Sequence, residues 1–167
     1  MDLTPYLDWL KFLHIAGAFL FAAGHGVSIA VAFRLRAERE TGRMLALLDL
    51  SGWSLNLAGV GLLVILLSGI VSGVVRNDFG RAWIWASLVV LIVVSGLMTP
   101  LAGSYFSRLR LALGQRTRAI KEGEPEPVPL SLEEVVALAQ SRAPELTATV
   151  GGVGFLVILW LMVFKPF

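Results

Sequence analysis

Four stretches of this chain are each long and apolar enough to cross the hydrocarbon core of a bilayer, which takes about 20 residues. They run from about Trp9 to Phe33, Trp53 to Val75, Trp83 to Phe106 and Leu146 to Phe164. In lipid a backbone must satisfy its own N–H and C=O groups, so apolar segments of this length can only be helices. The expected fold is therefore all-α, an integral membrane four-helix bundle, with residues 1–167 forming a single membrane domain. Composition agrees. The 167 residues are 56% hydrophobic and only 16% charged, against about 25% in soluble domains. The first span reads as retained, because Asp2 and Asp8 stand where a cleaved signal carries basic residues, and the apolar run is too long for a signal core.

The charges set an orientation. Arg34, Arg36, Arg39 and Arg43 separate the first two spans, and Arg108, Arg110, Arg116, Arg118 and Lys121 follow the third. The turn between spans two and three holds Arg76, Asp78 and Arg81. Basic loops stay on the cytoplasmic side, which predicts a multi-pass protein of a bacterial inner membrane with both termini outside. With a net charge of only +2, these clusters read as topology signals and not as a nucleic-acid footprint. The absence of cysteine excludes disulfides, thiolate metal sites and covalent haem attachment.

The connection at 114–145 is the one sizeable polar stretch. Glu122-Gly-Glu-Pro-Glu-Pro is turn-rich. Ser131, with Glu133 and Glu134 behind it, reads as the N-cap of a short amphipathic helix. Such a helix rests on the bundle or the membrane surface, or docks a partner.

Chemistry concentrates in the first span. His14 and His25, the only two histidines, are eleven residues apart. That is close to three helical turns, so both project from one face, roughly 16 Å apart along the axis. An ionisable side chain at membrane depth is costly and marks a functional site by default. The same face carries Ala18, Phe21, Ala22, Ser28 and Ala32, with Gly17, Gly24 and Gly26 close by. Small residues let another helix, or a flat rigid ligand, approach the backbone. Neutral imidazole is a common haem-iron ligand, and b-type haem is the cofactor this face suits. The two imidazoles are too far apart to share one iron, whose axial donors sit only about 4 Å apart. Each would need a second ligand, with Met98 the best internal candidate and Met162 the next. A two-fold dimer could instead bring each histidine against its own copy. The competing reading is that the histidines only hydrogen-bond neighbouring helices. Lys11, one turn before His14, either snorkels to the interface or pairs with a porphyrin propionate.

Other polar residues have simpler expectations. Asp49 is expected near the interface, paired with an arginine of the preceding loop or, alternatively, supporting His25. Asn56 should hydrogen-bond between helices, and Tyr105 should anchor at the interface, as should Trp83 and Trp160. Thr99-Pro100 should kink the third span. Gly69 and Gly73, and the Gly151-Gly-Val-Gly154 run, read as helix-packing sites.

Leu10-Lys-Phe-Leu-His-Ile-Ala-Gly, with Ala32-Phe-Arg-Leu-Arg closing the span, resembles the opening helix of the small membrane proteins that include HemJ-type protoporphyrinogen oxidases and CopD-like copper-resistance proteins. Arg81-Ala-Trp-Ile-Trp through Ser107-Arg-Leu-Arg is similar to the third helix of that group, and the nearest likeness is to its uncharacterised branch. The resemblance implies haem ligation at His14. The functional lysine of the HemJ type is missing from the third span, where Ala86 and Ser87 stand. The expectation is a b-type haem protein moving single electrons within or across the membrane, as a homodimer or a subunit of a redox complex. Its alternatives are an oxidase-like enzyme passing electrons to a quinone, a cofactor-free scaffold subunit, and copper handling, which the lack of cysteine disfavours. Whether the chain is an enzyme stays open.

Overall fold

A computed structural model describes residues 4–117, 120, 123 and 125–167. The described residues are all-α. After a 3-10 turn at Thr4–Tyr6 come α1 (Leu7–Ala37), α2 (Thr41–Val75), α3 (Ala82–Ala112), α4 (Leu132–Ala139) and α5 (Ala143–Phe164). Four helical segments are long and apolar enough to cross a membrane, by length and composition. Asp2, Arg118, Lys121 and Glu122 lie outside the described residues.

The helices outrun the apolar stretches at one end of the bundle, here the basic end. Arg34 and Arg36 belong to the last turn of α1, and Arg43 and Asp49 to α2, so the expected first loop shrinks to residues 38–40. The reason is a second pattern beneath the charges. Met44, Leu48 and Ser51 recur at helical spacing and are almost fully buried, so α2 begins at Thr41 as a half-polar helix before it becomes apolar. Glu38 makes the tight turn. Its carboxylate accepts the N–H groups of Arg39 (2.9 Å) and Glu40 (3.2 Å) and faces Arg34. Those amides, Arg39 first, hold the Glu38 carboxyl below the usual carboxylate range.

Two helix pairs make up the bundle. In the first, α1 and α2 approach backbone to backbone through glycine. A Cβ on Gly24 would lie 2.5 Å from the Ser54 carbonyl oxygen, and one on Gly61 would lie 2.5 Å from the Phe21 nitrogen. The second pair is α3 with α5, where Gly154 faces the Val94 side chain. The pairs join at the basic end, in a core built from Leu35 of α1, Met44 and Leu48 of α2, Leu109 and Tyr105 of α3, and Val135 and Ala139 of α4. Ser131 caps α4 as its sequence suggests. Its hydroxyl accepts the Glu134 N–H, while the Glu134 carboxylate returns to the Ser131 N–H. The amphipathic stripe of α4 therefore faces this core.

Several expectations change. Tyr105 is 5% exposed and no interfacial anchor. Its hydroxyl lies 3.2 Å from both the Ala32 and Ala139 carbonyl oxygens, so it ties α1, α3 and α4 together. Trp83 is also buried, under the Lys165 ammonium. Trp160 stays half-exposed. Asp49 pairs with Arg110 of α3 at 3.0 Å, not with the preceding arginines, because α2 carries it past that turn. Asn56 faces outward from the bundle. Pro100 sits within a continuous α3, and the Thr99 hydroxyl donates to the Ser95 carbonyl beside it. At the far end, Asp78 is buried between Arg76 and Arg81, which offsets part of the positive charge in that turn.

Candidate functional site

The two histidines share a stripe of α1 but meet different neighbours. His14 packs against the far-end half of α2. Its Nδ1 lies 3.0 Å from the Ile65 carbonyl oxygen and 3.3 Å from the Ser68 hydroxyl. A carbonyl only accepts, so Nδ1 carries the proton and donates, leaving Nε2 as the lone-pair nitrogen of the neutral ring. The ring fits because residue 69 is glycine, where a Cβ would come within 3.0 Å of His14 Cε1. Lys11 is exposed one turn further out.

His25 lies deeper, between the α2 contacts made by Gly24 and Ser28, and its ring faces the other pair. Its ring stacks on Phe21, one turn earlier, with centroids 5.9 Å apart and planes 3° from parallel. Its Nε2 is buried, and no described residue offers it a hydrogen-bond partner. A buried polar atom without a partner is uncommon and costs about 1–3 kcal/mol, so it asks for an explanation.

The His25 side chain also lines a cavity of about 410 Å³ between the four spans. Phe21, His25 and Ser28 line it from α1, and Ala58 and Gly59 from α2. Met98, Thr99, Ala102 and Tyr105 contribute from α3, and Thr147 from α5. Ligand pockets usually run from about 300 to 1,000 Å³, so this one is large enough for a small ligand or for the core of a larger one. The Ser28 hydroxyl is bonded to Ser51 at 3.1 Å, which holds α1 to α2 beneath the cavity.

Met98 meets His25, not His14. A side chain at Gly151 would place its Cβ 2.6 Å from His25 Nε2 and 3.0 Å from Met98 Sδ. Because both atoms sit around that one point, they are at most about 6 Å apart. Glycine at 151 thus lets the α5 backbone pack closely against both side chains. Met162 lies three turns further along α5, at the far end. The face a two-fold dimer would need for shared histidine ligation is largely taken by α2 of the same chain, through Gly17, Gly24 and the His14 ring.

Donor chemistry also limits what the cavity can hold. His25 and Met98 offer one nitrogen and one sulfur, and among the described residues no three His, Cys, Asp or Glu side chains cluster. Two donors are too few for a bare transition metal, which commonly takes four protein ligands or three and water. They match an iron whose other four positions a macrocycle fills.

Sequence reasoning found His25 and Met98 but could not pair them. It missed Gly151 as the residue that brings them together, and Tyr105 and Thr147 as cavity walls. No local pattern marks such residues, because the cavity depends on where α5 crosses α1.

Residues 8–166 match the model of a family described as "Predicted integral membrane protein (DUF2269)". The chain belongs to that family and is an integral membrane protein. No curated protein and no solved structure matches it.

Proposed function

We propose that this member of the family holds b-type haem in the cavity between its spans, where His25 and Met98 would hold it, and serves one-electron transfer within the membrane. The observation that carries the reading is the His25 Nε2, buried, unpartnered and beside the Met98 sulfur. Iron porphyrin would supply the one-electron chemistry; the rest falls to the chain. Phe21 fixes the plane of the His25 ring by stacking. Tyr105 and the apolar core keep water out at the basic end. The apolar walls provide a low-dielectric setting in which donor identity and nearby dipoles tune a redox group. The likeness of Lys11–His14 to the haem-bearing helix of HemJ-type proteins supports a haem function in general. We nonetheless assign ligation to His25, because His25 and Met98 both line the cavity between the spans and His14 does not.

Orientation belongs to the same proposal. The arginines of the basic end support an orientation with that end in the cytoplasm of a bacterial cell and both termini on the outer side of the inner membrane. The turn at the other end carries only Arg76 and Arg81, fewer basic residues than the basic end.

The test is the visible spectrum of detergent-purified protein, oxidised and reduced, from a host well supplied with haem. Wild type should show a Soret band and a b-type α-band. His25→Ala should lose them, Met98→Leu should keep haem with a shifted α-band and a lower potential, and His14→Ala should leave the spectrum unchanged. Colourless wild type would reduce the protein to a cofactor-free scaffold. A spectrum indifferent to His25→Ala would overturn the ligand assignment.

A further inference from the structure

We infer that the cavity is filled from the bilayer, through a lateral opening between α2 and α3, so that its ligand is a flat, largely apolar molecule dissolved in the membrane. The inference deepens the haem reading and rests on it only for the identity of the cargo.

Three sides of the cavity are closed by named contacts. Along the α1–α2 side the helices are in backbone contact at Gly24 and joined by Ser28 and Ser51. The α1–α5 side meets at two levels, where His25 reaches Gly151 and where Arg36 pairs with Glu145. Towards the basic end, the Tyr105 hydroxyl bridges to α1 and α4 over the apolar core. A water-borne ligand arriving from the basic end would have to unpack that core.

The fourth side differs. Although consecutive in sequence, α2 and α3 hold each other at the basic end, where Arg110 binds Asp49 and the Leu48 carbonyl. Beyond that point their facing positions are small and open. Gly59 and Gly103 line the cavity, are exposed, and would meet nothing within 4 Å if given a Cβ. Thr99 and Leu55, also exposed, complete the rim. All four lie within the apolar stretches of their helices, hence at hydrocarbon depth. Lipid-exposed glycine contributes no packing to these helices and weakens them. Its effect here is to leave the α2–α3 side of the cavity open at hydrocarbon depth.

Two measurements on protein reconstituted in phosphatidylcholine vesicles test this. The chain has no cysteine, so a nitroxide can be placed at one position, Ala102→Cys, on the cavity wall. Ser95→Cys reads the same cavity should the first variant fail to fold. The label should be relaxed mainly by oxygen, which partitions into lipid; relaxation mainly by a water-soluble nickel chelate would overturn the inference. The second measurement is uptake of haemin predissolved in the vesicles. Gly59→Phe with Gly103→Phe should slow it about tenfold relative to wild type, as a modest added barrier does. An unchanged rate would overturn the portal. A wild type that takes up no haemin but keeps an oxygen-accessible label sinks the haem proposal and leaves the bilayer-facing cavity standing.

Discussion

Gly24 and Gly26 sit two residues apart on α1 and offer a matched test of how the first helix pair is held. A Cβ at Gly24 would meet only α2 backbone, at 2.5 Å from Ser54 O, 2.7 Å from Ala58 N and 3.1 Å from Ala58 Cα. None of these atoms can swing aside, so α1 must move away from α2 by about an ångström to restore ordinary contact distances. Overpacking of this kind costs about 1–3 kcal/mol. At Gly26 the same methyl would meet nothing within 4 Å. Both changes gain the same helix propensity, up to about 1 kcal/mol over glycine, so that contribution cancels when the variants are compared with each other. The expected gap between Gly24→Ala and Gly26→Ala is therefore about 1–3 kcal/mol. In melting temperature this is roughly 2–12 °C for a chain of this size. The assay is thermal unfolding in one detergent, followed by tryptophan fluorescence, with Gly26→Ala expected at or above wild type and Gly24→Ala below it. Equal melting temperatures for the two variants would refute the close approach at Gly24, and with it the argument that glycines on α1 serve helix contact before ligand access.

Ser131→Ala removes the cap of α4 and should cost about 1 kcal/mol, seen as amide exchange about fivefold faster across Leu132–Ala139; unchanged exchange would mean that core packing alone sets α4. Glu38 gives a pH signature. Its carboxyl is held below the usual range by the Arg39 and Glu40 amides, so its contribution is present above the ordinary carboxylate pKa and lost as pH falls through the depressed folded value. Glu38→Gln should therefore melt below wild type at neutral pH and converge with it in acid, and a gap that stays constant with pH would contradict the capping role.

How much was legible beforehand differs from residue to residue. The Ser131 cap was readable because a capping box is local, complete within four residues. The reach of α2 back to Thr41 was not. Its signal, Met44–Leu48–Ser51, is a buried stripe under charged neighbours, and a search for membrane-length apolarity passes over it. Tyr105 and Trp83 illustrate a different limit. An aromatic near a span end is an anchor if it faces lipid and a core residue if it faces the bundle, and only the packing of α3 against α1, α4 and α5 decides which. Asp49 follows the same logic, since its partner Arg110 is 61 positions away.

What the chain alone decided is the solvent it lives in and the elements it must form. Hydrocarbon leaves the backbone no partner but itself, so four apolar stretches of bilayer length can only become helices, and their glycines mark where helices can touch. The histidine spacing likewise follows from the period of one helix. Which neighbour each imidazole meets was settled by tertiary structure. Two groups on one stripe of α1 ended in unlike surroundings because the His14 ring reaches α2 while the His25 ring reaches α5 and Met98 of α3. That left His14 bonded to Ile65 and Ser68, and His25 beside Met98 with its outer nitrogen unclaimed.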